Sequence, residues 1–143
     1  MNTAEQLIQT FNDNFVAYFR SHVAHINITG RNFRSDHKLL QGVYERRQAE
    51  IDVLGELIRT VGEFMPCCLA DVLDGSHILD DMVEGSADDM LLSVRDNLEH
   101  LKGCYEELML IAESEGHQEI ANYAQEQVLD IAKSLWMLDS TLA

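Results

Sequence analysis

Apolar residues recur at steps of three and four along four long stretches of this chain, and a single proline, Pro66, interrupts its 143 residues. Such spacing places the apolar side chains on one face of an α-helix, and a helix with one apolar face has to bury it against a partner. The first stretch runs through Leu7, Phe11, Phe15, Tyr18, Phe19 and Val23. Thr3 followed by Gln6 reads as a capping box at its start, and Gly30 as its stop, since glycine readily takes the left-handed conformation that ends helices. A second helix, roughly thirty residues long, is predicted from about Phe33 through Leu40, Val43, Tyr44, Ile51, Leu54, Ile58 and Val61 to Gly62, with Pro66 just beyond. The segment from Cys67 to about Asp81 mixes short apolar groups with Gly75 and Ser76, which predicts a connection containing a short helix. Ser86 can cap a third long helix, with Asp88 and Asp89 at the positive end of its dipole and a stripe of Leu91, Val94, Leu98, Leu101, Tyr105, Leu108 and Ala112. Gly116 breaks it, and a last helix runs from about Gln118 to Leu142 through Ala121, Ala124, Val128, Ile131, Leu135 and Leu138. The expected fold class is all-α: a four-helix bundle with one longer crossover between the second and third long helices, residues 1–143 forming a single domain around one core.

Charge narrows the partners. With 25 acidic against 10 basic residues the formal net charge is −15, so the averaged field attracts cations and repels phosphate backbones. Six of the ten basic residues cluster in sequence as Arg20, Arg31, Arg34, Lys38, Arg46 and Arg47, which surface ion pairs or subunit contacts explain without a nucleic acid. DNA binding is therefore expected to be weak or absent at physiological salt. Cys67, Cys68 and Cys104 are odd in number, and the adjacent pair lacks the spacing that lets two thiolates share a tetrahedral zinc, so reduced and mostly buried cysteines are expected. The first residues carry no basic and apolar leader pattern, and no run approaches eighteen apolar residues; a soluble cytoplasmic protein without membrane contact is expected.

The chemistry-bearing stretch is His25-Ile-Asn-Ile-Thr-Gly-Arg-Asn-Phe-Arg-Ser-Asp-His37-Lys-Leu-Leu-Gln41, followed by Asp52-Val-Leu-Gly-Glu56. His37 with Gln41, and Asp52 with Glu56, are each four apart and stack on one helix face. Imidazole nitrogen with carboxylate oxygen suits iron, manganese or zinc better than calcium. Fifteen residues separate His37 from Asp52, about 22 Å along a helix, so the two pairs cannot share a metal within one chain. They keep to one broad face, the residual rotation being only about 60°. Two such helices packed antiparallel about a two-fold axis would bring the histidine end of each to the acidic end of the other, making a metal site that exists only on assembly. No Glu-x-x-His occurs anywhere, so the di-iron centre that this motif builds inside a single bundle is not expected.

Taken together, His-x-Asn-x-x-Gly-x-Asn-Phe-x-x-x-His followed by Asp-x-x-x-Glu resembles the Dps family of mini-ferritins, over most of the chain. The Pro66 connection, the Gly116 break and the closing Leu135-Trp136-Met137-Leu138 stretch are similar as well. The resemblance implies a ferritin-like bundle assembled into a hollow homo-oligomer of twelve subunits. It implies an intersubunit ferroxidase site at the two-fold interface, with His25, His37, Asp52 and Glu56 as ligands, oxidising ferrous iron with hydrogen peroxide or dioxygen and storing ferric oxide inside. Zinc is a possible substitute for iron. Acidic entry pores are implied too, for which Glu113, Glu115 and Glu119 are candidates beside a plain solvated face. Two positions depart from the family pattern: Ile26 stands where a tryptophan is usual, and Gln41 where the family has an aspartate that completes the ligand set. Gln41 can still ligate through its amide oxygen, but each site then carries one less negative charge. A non-catalytic or DNA-compacting shell with a weakened metal site is the alternative. His22, His77, His100 and His117 have no such context and are expected to be structural.

Overall fold

The computed structural model describes residues 1–143 and contains five helices and no strand: α1 (Thr3–Asn27), α2 (Phe33–Thr60), α3 (Leu69–Gly75), α4 (Ala87–Ser114) and α5 (Gln118–Leu142). The short α3 lies in the crossover between α2 and α4, as the mixed segment there predicts. α1 packs on α2 and α4, α4 packs on α5, and α3 rests on α1. The apolar stripes meet in one core that includes Leu7, Leu40, Leu54, Leu98, Leu101, Leu108, Ile120, Ala124, Ile131 and Leu138. No helix is long and apolar enough to cross a membrane.

The ends of the helices follow from local chemistry, with one shift of register. The cap of α1 is Asn2, whose side chain accepts from the Glu5 amide at 2.8 Å while Glu5 Oε2 accepts from the Asn2 amide at 3.0 Å. The box thus sits one residue before the Thr3–Gln6 pair, because Thr3 is used elsewhere: its amide and hydroxyl both donate to Glu115 Oε1, across the bundle at the end of α4. Those bonds hold the Glu115 carboxyl below its ordinary range. Ser86 caps α4 as expected, paired reciprocally with Asp89. Gly30, Gly62 and Gly116 each follow a helix with positive φ, at 129°, 90° and 83°.

Three polar ties cross the bundle. Arg47, 2 % exposed, reaches from α2 to Asp130 on α5 at 2.7 Å. Arg20, also buried, donates from α1 to the side chain of Asp81 and to its carbonyl in the crossover, and to Ser93 and Asn97 on α4. Two members of the expected basic cluster are therefore internal struts and not surface charge. The third tie is Asp13, fully buried on α1. Its Oδ1 accepts from Ser76 Oγ at 2.8 Å and the His77 amide at 2.7 Å, and its Oδ2 accepts from Cys104 Sγ at 3.0 Å and Gln9 Nε2 at 3.2 Å. Burial opposes ionisation of this carboxyl, but the bonds from Cys104, the His77 amide, Ser76 and Gln9 prevail and hold its pKa below the usual value.

The cysteines correct the expectation of general burial. Only Cys104 is buried; Cys67 and Cys68 are exposed. Both follow Pro66 in the segment that leaves α2 and precedes α3, off the apolar stripes that make the core.

Leu101→Ala, at a fully buried core position, is expected to lower unfolding stability by about 3 kcal/mol in a denaturant titration. Asp13→Asn is expected to cost about 2 kcal/mol at neutral pH, through weakened charge-assisted bonds at a buried site. Since folding depresses the Asp13 pKa, its contribution is complete above the unfolded value of about 4 and is lost as pH falls through the folded one. The stability gap between wild type and Asp13→Asn, measured by denaturation in EDTA-containing buffer, is therefore flat near neutrality and narrows below about pH 4.

Candidate metal centre

His25 stands in the last turn of α1 and His37 in the second turn of α2, joined through the turn at residues 28–32. The left-handed Gly30 reverses the chain there, and the two imidazoles stack with centroids 3.7 Å apart and planes 14° from parallel. Each ring is locked by the other residue's backbone. His25 Nδ1 lies 2.7 Å from the His37 carbonyl, and His37 Nδ1 lies 2.7 Å from the His25 carbonyl. A carbonyl oxygen only accepts, so both Nδ1 atoms carry the hydrogen and a neutral ring has its lone pair at Nε2. The His25 carbonyl is also one of the last four of α1, which lack helical partners, so the bond from His37 serves as a cap. Imidazoles that ligate metals are commonly fixed in this way, with the distal N–H given to a carbonyl.

Around the pair is an aromatic wall. Phe33 stacks on His37 at 5.0 Å, and Tyr44 lies 4.9 Å from His25 and 3.9 Å from His22, nearly parallel to the latter. Tyr18 Oη is 3.0 Å from His22 Nδ1. His25 is only 6 % exposed and His37 half-buried. His22 is thus a neighbour of the pair, held between two tyrosines; its place three residues before His25 on one helix face, with Tyr18 four residues earlier, was the available signal.

Asp52 and Glu56 lie together on α2, both exposed, in a depression of about 510 Å³ lined also by Gln48, Ile51, Gly55, Arg59 and Met65. Arg59 is engaged by the chain itself: Nη1 donates to the Glu63 carbonyl at 2.9 Å, and the guanidinium sits 4.1 Å over the Phe64 ring. The structure does not bring the two pairs together. α2 is unbroken from Phe33 to Thr60, and the fifteen-residue separation of His37 and Asp52 corresponds to about 22 Å. Gln41, one turn beyond His37, is exposed and donates to Glu45 Oε1 at 2.9 Å, which leaves its carbonyl oxygen without a partner. Of the three glutamates at the α4–α5 turn, Glu115 is tied to Thr3, Glu119 lies 3.7 Å from His117 Nδ1, and Glu113 is exposed.

One chain therefore offers two separate donor sets: a rigid pair of nitrogen donors at one end of α2 and a pair of carboxylates towards the other.

Comparison with known proteins agrees with this architecture. A family model described as a ferritin-like domain matches residues 4–143. The DNA protection during starvation protein of Helicobacter pylori is 28% identical over 144 residues, covering 100% of both chains. Among solved structures, the Helicobacter cinaedi CAIP crystal structure superposes with a TM-score of 0.91 at 30% identity, over 99% of this chain and 100% of that one. The Dps protein from Bacillus brevis superposes with a TM-score of 0.93 at 25% identity, over 99% and 95%. A bundle of this topology, matched end to end by such relatives, places the chain in the ferritin-like domain family, as a Dps-like mini-ferritin.

Proposed function

We propose that this protein oxidises ferrous iron at a site completed by a second copy of itself and stores the product in a hollow homo-oligomer, a dodecamer as in the Dps pattern. Ferrous ion is the substrate; each ion gives up one electron, and hydrogen peroxide or dioxygen is the acceptor. Consuming peroxide together with Fe(II) limits hydroxyl-radical formation, which makes the activity protective. In this assignment His25 and His37 of one chain supply Nε2 donors, while Asp52 and Glu56 of its two-fold mate supply carboxylate oxygens. Gln41 occupies the flank of the histidine half-site and offers an amide oxygen.

The observation that carries the proposal is the reciprocal locking of His25 and His37, which spends both Nδ1–H groups on backbone and leaves both Nε2 atoms for a ligand. A mixed nitrogen and carboxylate set suits iron, with zinc as a competitor. The net charge of −15 favours cation uptake. Assembly is supported by large apolar side chains that one chain leaves exposed, Phe64, Leu129 and Trp136 among them, which a partner surface would cover. Nucleic acid is poorly served: Arg20 and Arg47 are consumed by internal ties, and the remaining field is negative.

Aerobic Fe(II) oxidation followed optically is the direct assay. Wild type is expected to outpace the buffer blank, and His37→Ala or Glu56→Ala to lose at least about tenfold in initial rate; wild type no faster than the blank would contradict catalysis. Gln41→Asp restores one negative charge per site and is expected to raise Fe(II) affinity and rate, whereas an unchanged rate would show that the charge at this position is not limiting. In a gel shift at physiological salt, DNA is expected to migrate unretarded.

A further inference from the structure

A second group of metal-ligating side chains lies outside the His25–His37 region, where α1, the crossover and α4 meet. Asp13, His77 and His100 have ligand atoms within 4.8 Å of one another, and Cys104 Sγ lies beside two of them, Asp13 and His100. Three contacts define its base: Asp13 Oδ2 is 3.0 Å from Cys104 Sγ and 3.2 Å from His100 Nε2, and Cys104 Sγ is 3.6 Å from His100 Nε2. We propose that Asp13, His77, His100 and Cys104 form a binding site for a zinc-type divalent cation.

The geometry is close to what such an ion needs. With bonds of about 2.0 Å to nitrogen and oxygen and about 2.3 Å to sulfur, neighbouring ligand atoms of a tetrahedral zinc are separated by about 3.3–3.6 Å. The Asp13–His100–Cys104 triangle, with edges of 3.0, 3.2 and 3.6 Å, is tighter than this at its Asp13 corner, and opening by a few tenths of an ångström lets it serve as one face of the tetrahedron. His77 is the fourth corner. Its side chain is exposed and free to adjust, while its amide is anchored on Asp13 Oδ1 at 2.7 Å. That anchor and the Ser76 hydroxyl occupy Oδ1, while Oδ2, which also accepts from Gln9 Nε2 at 3.2 Å, is the corner of the triangle, an outer-shell arrangement that orients a ligating carboxylate. The backbone is held as well: the Gly75 carbonyl accepts from Gln9 Nε2 at 2.8 Å, so the residues leading to His77 are pinned to α1.

The donor set selects the cation class. One thiolate, two imidazoles and one carboxylate suit zinc and similar borderline ions and exclude calcium and magnesium, which take oxygen ligands. The cation takes the place of the Cys104 thiol proton, which is released to solvent. Access exists from a depression of about 310 Å³ lined by His77 and His100, with Asp96 and Asn97 on its wall. A cation here would clamp the crossover to both α1 and α4. This site shares no residue with the proposed ferroxidase centre.

Cobalt(II) titration of the assembled, metal-stripped protein tests it, in a Cys67→Ser, Cys68→Ser background so that only one thiol remains. The parent is expected to develop a near-ultraviolet sulfur-to-cobalt charge-transfer band, with visible bands of tetrahedral cobalt, whose final intensity corresponds to one thiolate-bound ion per chain and which is bleached by zinc. Cys104→Ser is expected to abolish the charge-transfer band. His77→Ala and His100→Ala, at exposed side chains that the core does not need, are expected to weaken cobalt binding at least about tenfold each. His37→Ala is expected to leave the band intact even if iron oxidation is lost. Absence of the band in the parent, its survival in Cys104→Ser, its indifference to both His77→Ala and His100→Ala, or its loss in His37→Ala would each overturn the proposal.

Discussion

The unbroken length of α2 is the constraint from which the functional geometry follows. A helix advances by a fixed rise, so residues fifteen apart on it stay about 22 Å apart whatever the rest of the bundle does. His37 near one end and Asp52 and Glu56 towards the other are consequently members of one rigid rod that can never close on one ion alone. No lid or loop movement within the chain changes this. What would join them in the proposed assembly is symmetry: an antiparallel twin would present its carboxylate end where the first presents its imidazoles, and each two-fold contact would create two equivalent sites. A site divided in this way couples metal chemistry to assembly, since an isolated chain holds only halves.

The rod has to be held in register against its neighbours, and buried polar groups do much of that. Arg47 ties α2 to Asp130 on α5, Arg20 ties α1 to Asp81 in the crossover and to α4, and Asp13 gathers the crossover and α4 onto α1. Apolar packing supplies most of the stability, but it tolerates sliding. A buried charge does not, because losing its partner leaves an uncompensated ion at a cost of about 3–5 kcal/mol. The same logic operates at the imidazoles, where two carbonyls decide which nitrogen keeps the proton.

Much of the fold was legible because long helices with apolar faces leave a period that survives in one dimension. The crossover helix, the Ser86 cap and the breaks at Gly62 and Gly116 were legible for the same reason: each rests on residues adjacent in sequence. What escaped depends on distant residues. The α1 cap moved to Asn2 because Thr3 bonds Glu115, more than a hundred residues away. Arg20 and Arg47 look like surface charge until their acidic partners are known. The proximity of His25 and His37 could be anticipated from the Gly30 turn, but their shared tautomer could not, as it depends on backbone carbonyls and not on residue types. Asp13, His77, His100 and Cys104 lie on three separate segments; only His100 and Cys104, four apart on α4, are joined by helical spacing, and both histidines were expected to be structural for want of neighbours.

The proposed shared site is tested most directly by mixing two impaired variants. His37→Ala subunits co-assembled with Glu56→Ala subunits form some mixed two-fold pairs, and in each of these one site collects both lesions while the other is wholly wild type. With random pairing about one quarter of all sites are intact. Iron oxidation by the mixture is predicted to recover to at least that fraction of the wild-type rate, although each variant alone has lost at least about tenfold. A mixture no more active than its components, with mixed assembly verified by native mass measurement, would show that the histidines and the carboxylates do not meet across the two-fold axis.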